Sequence, residues 1–182
     1  MVMAGMMGTV AQGRGAEPVN ERRIIVCMES APGPGPALAR ITAARVFADI
    51  DVKVTWLSDF RGCPAEGLKI SLNEATPGTL RPGELAYALP YEGTHIEVFY
   101  DRILRMVGQR SAPLIMANVM VHEITHILER VARHSEQGLM KARWSNEDFR
   151  SMEHKPLEFA REDVELIYAG LTYRAAHHVA EK

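Results

Sequence analysis

The order of apolar and polar side chains divides the chain into predicted strands and helices. Alternating or continuous apolar stretches predict strands at residues 23–28, 52–56, 68–72, 85–89 and 95–100. Apolar positions at helical spacing predict helices at residues 37–48, 101–107, 111–130 and 160–176. The opening order of strand, helix and strand is typical of a crossover between parallel strands. We therefore expect an α+β domain with a mixed, twisted sheet, a backing helix, a central helix and a C-terminal helix.

The same pattern gives details of two helices. Residues 31–36, rich in Pro and Gly, predict a loop before the first helix. The apolar residues of that helix recur every three or four positions, which places them on one face that we expect to be buried. They are Leu38, Ile41, Ala44 and Phe47. The central helix is expected to start at Ser111, whose hydroxyl can cap it.

The composition is that of one globular domain. The 182 residues are 47% hydrophobic and 24% charged, which is enough chain to bury a core. The formal net charge of −2 lacks the electrostatic footprint of a protein that binds nucleic acid or anionic membranes. No uncharged stretch approaches the roughly 20 apolar residues of a membrane-spanning helix. We expect neither a nucleic-acid partner nor a membrane span.

The N-terminal segment and the cysteines leave the cellular compartment open. Residues 1–20 are expected to be a flexible tail or the remnant of a signal peptide, and residues 21–182 the folded domain. If residues 1–20 are the remnant of a signal peptide, the protein is expected to be secreted or periplasmic. If they are a flexible tail, it is expected to be cytoplasmic. Cys27 and Cys63 are too few for a zinc-thiolate site. Cys27 is expected to be a small buried hydrophobe; a Cys27–Cys63 bridge, the alternative, requires an oxidising compartment.

The candidate chemistry lies in the central helix, where His122, Glu123 and His126 form an H-E-x-x-H motif. Residues four apart lie on one helix face, so both imidazoles can reach one Zn²⁺ at about 2.0 Å. Glu123 can act as general base toward a water molecule that the metal acidifies. The preceding residues are almost all apolar, and a buried helix has little use for such polar side chains unless a ligand satisfies them. The motif therefore predicts a catalytic zinc site.

A catalytic zinc site needs a third protein ligand, and two residues are candidates. His134 would lie about 18 Å from His122 in a continuous helix, so it can bind only if the chain turns back after Arg130. Glu147 suits sites whose third ligand comes from a following helix, but the residues around it are typical of a capped helix start with solvated acids. On the residues alone, both stay open.

The segment after His134 resembles a known family. Residues 122–140 resemble the metzincin metallopeptidases, in which a third histidine follows H-E-x-x-H and a methionine turn passes beneath the metal. From the third histidine onward, residues 134–144 form the longer run H-S-E-Q-G-L-M-K-A-R-W. The run is similar in particular to a group of small, mostly uncharacterised bacterial metzincin-like proteins. Residues 99–102 and 56–57 also resemble that group. The resemblance implies a zincin-like fold.

The resemblance also assigns roles to residues. It implies that His122, His126 and His134 bind Zn²⁺, that Glu123 is the general base, and that Met140 packs under the site. It favours His134 over Glu147 as the third ligand.

The chain departs from the metzincin pattern in one place. The third histidine lies two residues further along than in H-E-x-x-H-x-x-G-x-x-H, and Glu129 occupies the glycine position. Glycine ordinarily forms the left-handed turn that ends the helix, so another residue must form it here at some energetic cost. Because an edge strand of metzincins pairs with extended substrate, residues 95–100 are expected to be that strand. Trp56 and Trp144 are expected to be core anchors.

The function that the resemblance implies is a zinc-dependent metalloendopeptidase acting on peptide or protein substrates. Two alternatives stay open: a non-catalytic metal-binding or interaction protein on the same scaffold, and a regulatory H-E-x-x-H peptidase that uses Glu147 as its third ligand. Neither the cleavage preference nor the oligomeric state follows from the sequence.

Overall fold

The structure, a computed structural model, describes residues 22–29, 33–81, 83–88 and 94–180. The tail expected at residues 1–20 lies outside the described residues. The strands are β1 (Arg23–Met28), β2 (Lys53–Leu57), β3 (Leu68–Asn73), β4 (Ala86–Ala88) and β5 (His95–Phe99). The helices are α1 (Pro34–Ala48), α2 (Tyr100–Glu129), α3 (Asn146–Met152) and α4 (Arg161–Ala180). The expected α+β class and the positions of the predicted strands are confirmed.

The five strands form one mixed sheet in the order β2-β1-β3-β5-β4. The first four of these strands are parallel, and β4 pairs with β5 in the antiparallel sense. β5 therefore lies inside the sheet, and the expectation that residues 95–100 form the edge strand is wrong. The alternation that suggested an edge has another cause: His95 and Glu97 point to the face of the sheet that the core leaves uncovered. The edge next to β5 is the short strand β4.

The core lies between one face of the sheet and the helices. Alternate residues of β1, β3 and β5 are buried there, among them Val26, Ile70 and Val98. Cys27 is also buried, but it lies between two core residues of β1 and therefore points to the opposite face of the sheet. There it forms a disulfide with Cys63. The bridge replaces the free, buried thiol expected at Cys27.

Helix α1 starts earlier and buries a different face than expected. It begins at Pro34, because Pro in the first turn of a helix loses no hydrogen bond, so residues 34–36 are not loop. Leu38 and Ile41 are 47% and 53% exposed. The buried face instead carries small residues, including Ala39 and Ala43, which let α1 pack closely on α2. The expected apolar stripe is therefore wrong, with the exception of its last member, Phe47.

Helix α2 consists of two helical segments joined at Gly108, whose φ of 71° and ψ of 171° are non-helical. This break agrees with the two helices expected at residues 101–107 and 111–130. Ser111 does not cap the second segment, because it lies inside the helix and its hydroxyl donates a hydrogen bond to Glu153. The second segment carries the H-E-x-x-H motif and is buried along most of its length.

Helix α4 crosses the C-terminal end of α2 at very short range. A Cβ atom on Gly170 would lie 1.7 Å from the backbone oxygen of Leu128, so only glycine fits at this crossing. The hydroxyl of Tyr168 donates to the backbone oxygen of Ile50 at 2.8 Å and ties α4 to the turn after α1. Among the described residues, no helix has both the length and the apolar character needed to cross a membrane.

Candidate metal centre

Three histidines converge at the C-terminal part of α2. His122, His126 and His134 each offer a ring nitrogen, and the three atoms lie within 4.8 Å of one another. His122 and His126 are one helical turn apart, with 3.0 Å between their Nε2 atoms. The ring of His134 lies 5.4 Å from that of His122 and 4.9 Å from that of His126, centroid to centroid. Such a cluster can hold one metal ion.

A left-handed turn brings His134 back to the helix. Helix α2 ends at Glu129, and Arg130 adopts φ 57° and ψ 23° while its N–H bonds the backbone oxygen of His126 at 3.1 Å. Arg130 thus forms the turn that glycine makes in the metzincin pattern, at a cost of about 1–2 kcal/mol. Its guanidinium stacks 3.7 Å above the ring of Tyr173, a cation–π contact that offsets part of this cost.

One backbone carbonyl orients His122. Because the Leu139 oxygen can only accept a hydrogen bond, Nδ1 of His122 donates to it, at 3.0 Å. In the neutral ring this leaves Nε2 unprotonated, with its lone pair on the side that faces Nε2 of His126. Trp144 donates to the same Leu139 oxygen at 3.1 Å, and its ring stands edge-on against His122 with 5.5 Å between centroids. Trp144 is partly buried against the core and fixes the wall beside His122.

Burial keeps the two helical histidines neutral. It lowers the pKa of both His122 and His126 to about 4; the hydrogen bond to Leu139 opposes this at His122, and the backbone of Val131 opposes it at His126. Nδ1 of His126 is buried and makes no hydrogen bond of normal geometry. Burial and the charge of Arg133 also lower the pKa of His134. Neutral imidazole is the form that binds metal ions.

The side chain of Glu123 lies near the edge strand β4 and is not a member of the histidine cluster. Burial raises its pKa to about 7, with a smaller contribution in the same direction from Glu84, while the backbone N–H of Ala88 acts in the opposite direction. The carboxyl group therefore lies between α2 and β4, and Glu123 follows His122 directly in the helix.

The residues 99–102 singled out in the sequence hold the chain segment that leads into β4. Asp101 accepts hydrogen bonds from the backbone N–H and the hydroxyl of Thr76. Arg102 donates to the backbone oxygens of Leu80, Arg81 and Glu84. Phe99, expected among polar neighbours, is fully buried. This cluster fixes the approach to the strand that faces Glu123.

Met140 and Glu147, the two remaining candidate site residues, lie in different surroundings. Met140 is buried in the turn after His134, and its backbone oxygen accepts from the N–H of Ser135 at 2.8 Å. Glu147 is exposed in the first turn of α3, which Ser145 caps with a capping box. Among the described residues, the metal-ligating cluster contains the three histidines and does not include Glu147.

Several residues around the cluster have no signal in the sequence. The Leu139 carbonyl is a backbone group, so its role depends on the path of the chain alone. Asp163 is a fully buried carboxylate in α4, and Glu129 is buried with neither carboxyl oxygen in a hydrogen bond. A charged residue in an amphipathic helix is usually solvated, so the pattern gives no reason to single these two out.

Comparison with known proteins shows which solved structure has a similar fold. No protein-family model matches the sequence, and there is no significant match among curated proteins. Among solved structures, the crystal structure of archaemetzincin from Methanopyrus kandleri is similar, with a TM-score of 0.58 at 14% sequence identity. The match covers 86% of this chain and 98% of that one. The mixed five-stranded sheet with four helices therefore fits a zincin-like fold, as the sequence implied.

Proposed function

We propose that this chain is a zinc-dependent endopeptidase in which His122, His126 and His134 bind Zn²⁺ and Glu123 is the general base. The observation that supports it most is the convergence of three imidazoles at one point, with Glu123 adjacent in sequence to the first of them. Catalytic zinc sites use three protein ligands and leave a position open for water or substrate.

The donor set fits zinc. Two nitrogens bound to one tetrahedral zinc are about 3.3 Å apart, close to the 3.0 Å between the Nε2 atoms of His122 and His126. All three rings are held in the neutral state, and His134 is exposed, so ions and substrate can approach from its side. The two cysteines are joined in a disulfide, which leaves nitrogen as the donor.

When bound, zinc would polarise the carbonyl of the scissile peptide and acidify a water molecule. The chain's own groups do the rest. Leu139 holds His122 through Nδ1, so that Nε2 stays directed at the metal position. The Glu123 carboxylate takes the proton of the attacking water and passes it to the nitrogen of the leaving amine.

The substrate class is a peptide or protein in extended form. None of the described strands pairs with the outer edge of β4, which lies beside Glu123, so an extended chain can add there as a further strand. Residues 99–102 hold the segment before β4 in place. Met140 would support the cluster from below as a buried packing element.

The test is Glu123→Gln, assayed for zinc content and for cleavage of a denatured protein. We expect the variant to keep one zinc per chain and to lose activity about 100- to 10,000-fold, the usual contribution of a general base. Glu147→Gln is the matched control, because Glu147 is exposed and outside the cluster, and it should keep both zinc and activity.

Three results would contradict the proposal. A wild-type protein that binds no zinc would contradict the proposed metal centre. Full activity in Glu123→Gln would show that Glu123 is not the general base. Wild-type protein that holds one zinc per chain but cleaves neither denatured proteins nor a peptide library would favour a non-catalytic metal-binding protein.

A further inference from the structure

A buried carboxylate in the first turn of α4 lies against the chain on both sides of His134. Asp163 is fully buried. Its Oδ1 atom accepts hydrogen bonds from the guanidinium of Arg133, at 3.0 Å, and from the hydroxyl of Ser135. Its Oδ2 atom accepts from the backbone N–H of Ala160 at 3.1 Å, which fixes the carboxylate relative to the start of α4.

The residues that Asp163 binds are the two neighbours of His134 in the chain. The ring of His134 is exposed and, among the described residues, has no hydrogen-bond partner. His122, by contrast, is held by the Leu139 carbonyl. The position of the His134 ring therefore depends on how its two neighbours are held. The Oδ1 atom of Asp163 binds the side chains of both Arg133 and Ser135, and the backbone N–H of Ser135 also donates to the backbone oxygen of Met140.

Other acids compete for Arg133. The guanidinium lies 3.9 Å from the carboxylate of Glu129 and 3.4 Å from that of Glu162, both further away than Asp163. Glu129 is buried and its carboxyl oxygens have no hydrogen-bond partner, so it would attract Arg133 if Asp163 lost its charge. Without Asp163, Arg133 is expected to shift toward Glu129 and to displace the residue that follows it, His134.

We propose that Asp163 is a positioning residue that holds the third zinc ligand, His134, at the metal centre by binding Arg133 and Ser135 together. The inference rests on the metal site of the proposed function, but it does not require that the protein cleave peptides.

The test compares Asp163→Asn with the wild type by two measurements. The first is zinc affinity, from competition with a chromogenic chelator; we expect Asp163→Asn to weaken it about 10- to 100-fold, the range that outer partners of metal ligands produce. The second is the visible absorption spectrum of the Co²⁺-loaded protein, which should lose the intensity of a four-coordinate site when His134 is released. A residue that merely supports α4 would change thermal stability and leave that spectrum as it is.

Asp101→Asn is the matched control. Asp101 also accepts hydrogen bonds from a backbone N–H, a hydroxyl and an arginine, but it lies at the opposite end of α2. It should leave zinc affinity and the Co²⁺ spectrum unchanged. If Asp163→Asn does not fold, Ser135→Ala tests the same point, because it removes one of the two contacts; Ser135→Thr, which restores a hydroxyl, should recover the affinity.

The outcomes separate this inference from the proposed function. Zinc affinity and a Co²⁺ spectrum like the wild type's in folded Asp163→Asn, or in Ser135→Ala, would overturn the positioning role even if the protein is an active peptidase. Weakened zinc binding in these variants would support the role even if the wild type cleaves nothing. A wild type that binds no zinc would overturn both.

Discussion

The two halves of the histidine cluster are built in different ways. His122 and His126 are buried, one turn apart on a regular helix whose packing surrounds them on most sides. His134 is exposed on a loop, and contacts with residues distant in the sequence hold that loop. The helical half follows from local sequence, whereas the loop half depends on the whole fold. The helical half should therefore tolerate little change in packing, and the loop half should be sensitive to single polar contacts.

The largest expected effect on zinc affinity comes from removing one histidine ligand from each half of the cluster. His126→Ala and His134→Ala should each weaken zinc affinity by more than about 100-fold, beyond the range of outer-shell partners. Their metal-free forms should differ, because His126→Ala leaves a gap in buried surroundings while His134→Ala removes an exposed ring. We expect lower stability by about 1–3 kcal/mol for His126→Ala alone, measured by urea denaturation with a chelator present.

Glu147→Ala provides the reference for these measurements and should bind zinc like the wild type. Loss of zinc in Glu147→Ala with retention in His134→Ala would reverse the assignment of the third ligand.

A smaller effect, on stability, is expected from a substitution that disturbs the packing of α4 against the helical half. Gly170→Ala would place a Cβ atom 1.7 Å from the Leu128 oxygen, close to the end of the helix that carries His126. The helices must move apart, so we expect a loss of about 1–3 kcal/mol, or roughly 2–12 °C in Tm. Gly78→Ala, at a position with no atom within 4 Å, should change stability by less than about 0.5 kcal/mol. Equal thermal stability of the two variants would show that the crossing of α4 over α2 is not tight.

The smallest expected effect concerns pH and the loop half. Burial alone would raise the pKa of Asp148, but hydrogen bonds from Lys141 and from the backbone and hydroxyl of Ser145 hold it below its ordinary value of 3.8. A lowered pKa contributes stability that is present above the ordinary value and is lost as the pH falls through the folded value.

Asp148→Asn should therefore reduce the stability of metal-free protein by about 1 kcal/mol near pH 6, the usual worth of a helix cap. The difference from the wild type should shrink below about pH 4, where the wild-type carboxylate becomes protonated. Urea denaturation at several pH values measures this. A difference that grows toward low pH would contradict the assigned direction of the pKa shift.

Local pattern was enough to predict most elements and the helical half of the site. The strands, both segments of α2 and the capped start at Ser145 all follow from spacing over a few residues. The choice of His134 over Glu147 came from the resemblance to metzincins, not from spacing, since spacing alone left both open.

What the sequence did not predict depends on contacts between distant residues. Leu38 and Ile41 have the spacing of a buried face, but close packing on α2 selects the alanine face instead. β5 has the alternation of an edge strand, but its position depends on where β4 pairs. The role of Asp163 depends on a contact between α4 and a loop almost thirty residues earlier in the chain.

The disulfide between Cys27 and Cys63 has a consequence for metal analysis. Thiolates are soft ligands with high affinity for zinc, so a reduced preparation would offer two further donors on the far face of the sheet. Zinc bound there would be counted with zinc bound by the histidines. In oxidised protein both sulfurs are bonded to each other, and a stoichiometry of one ion per chain then contains no contribution from thiolates. The redox state of a sample therefore decides which site a zinc titration measures.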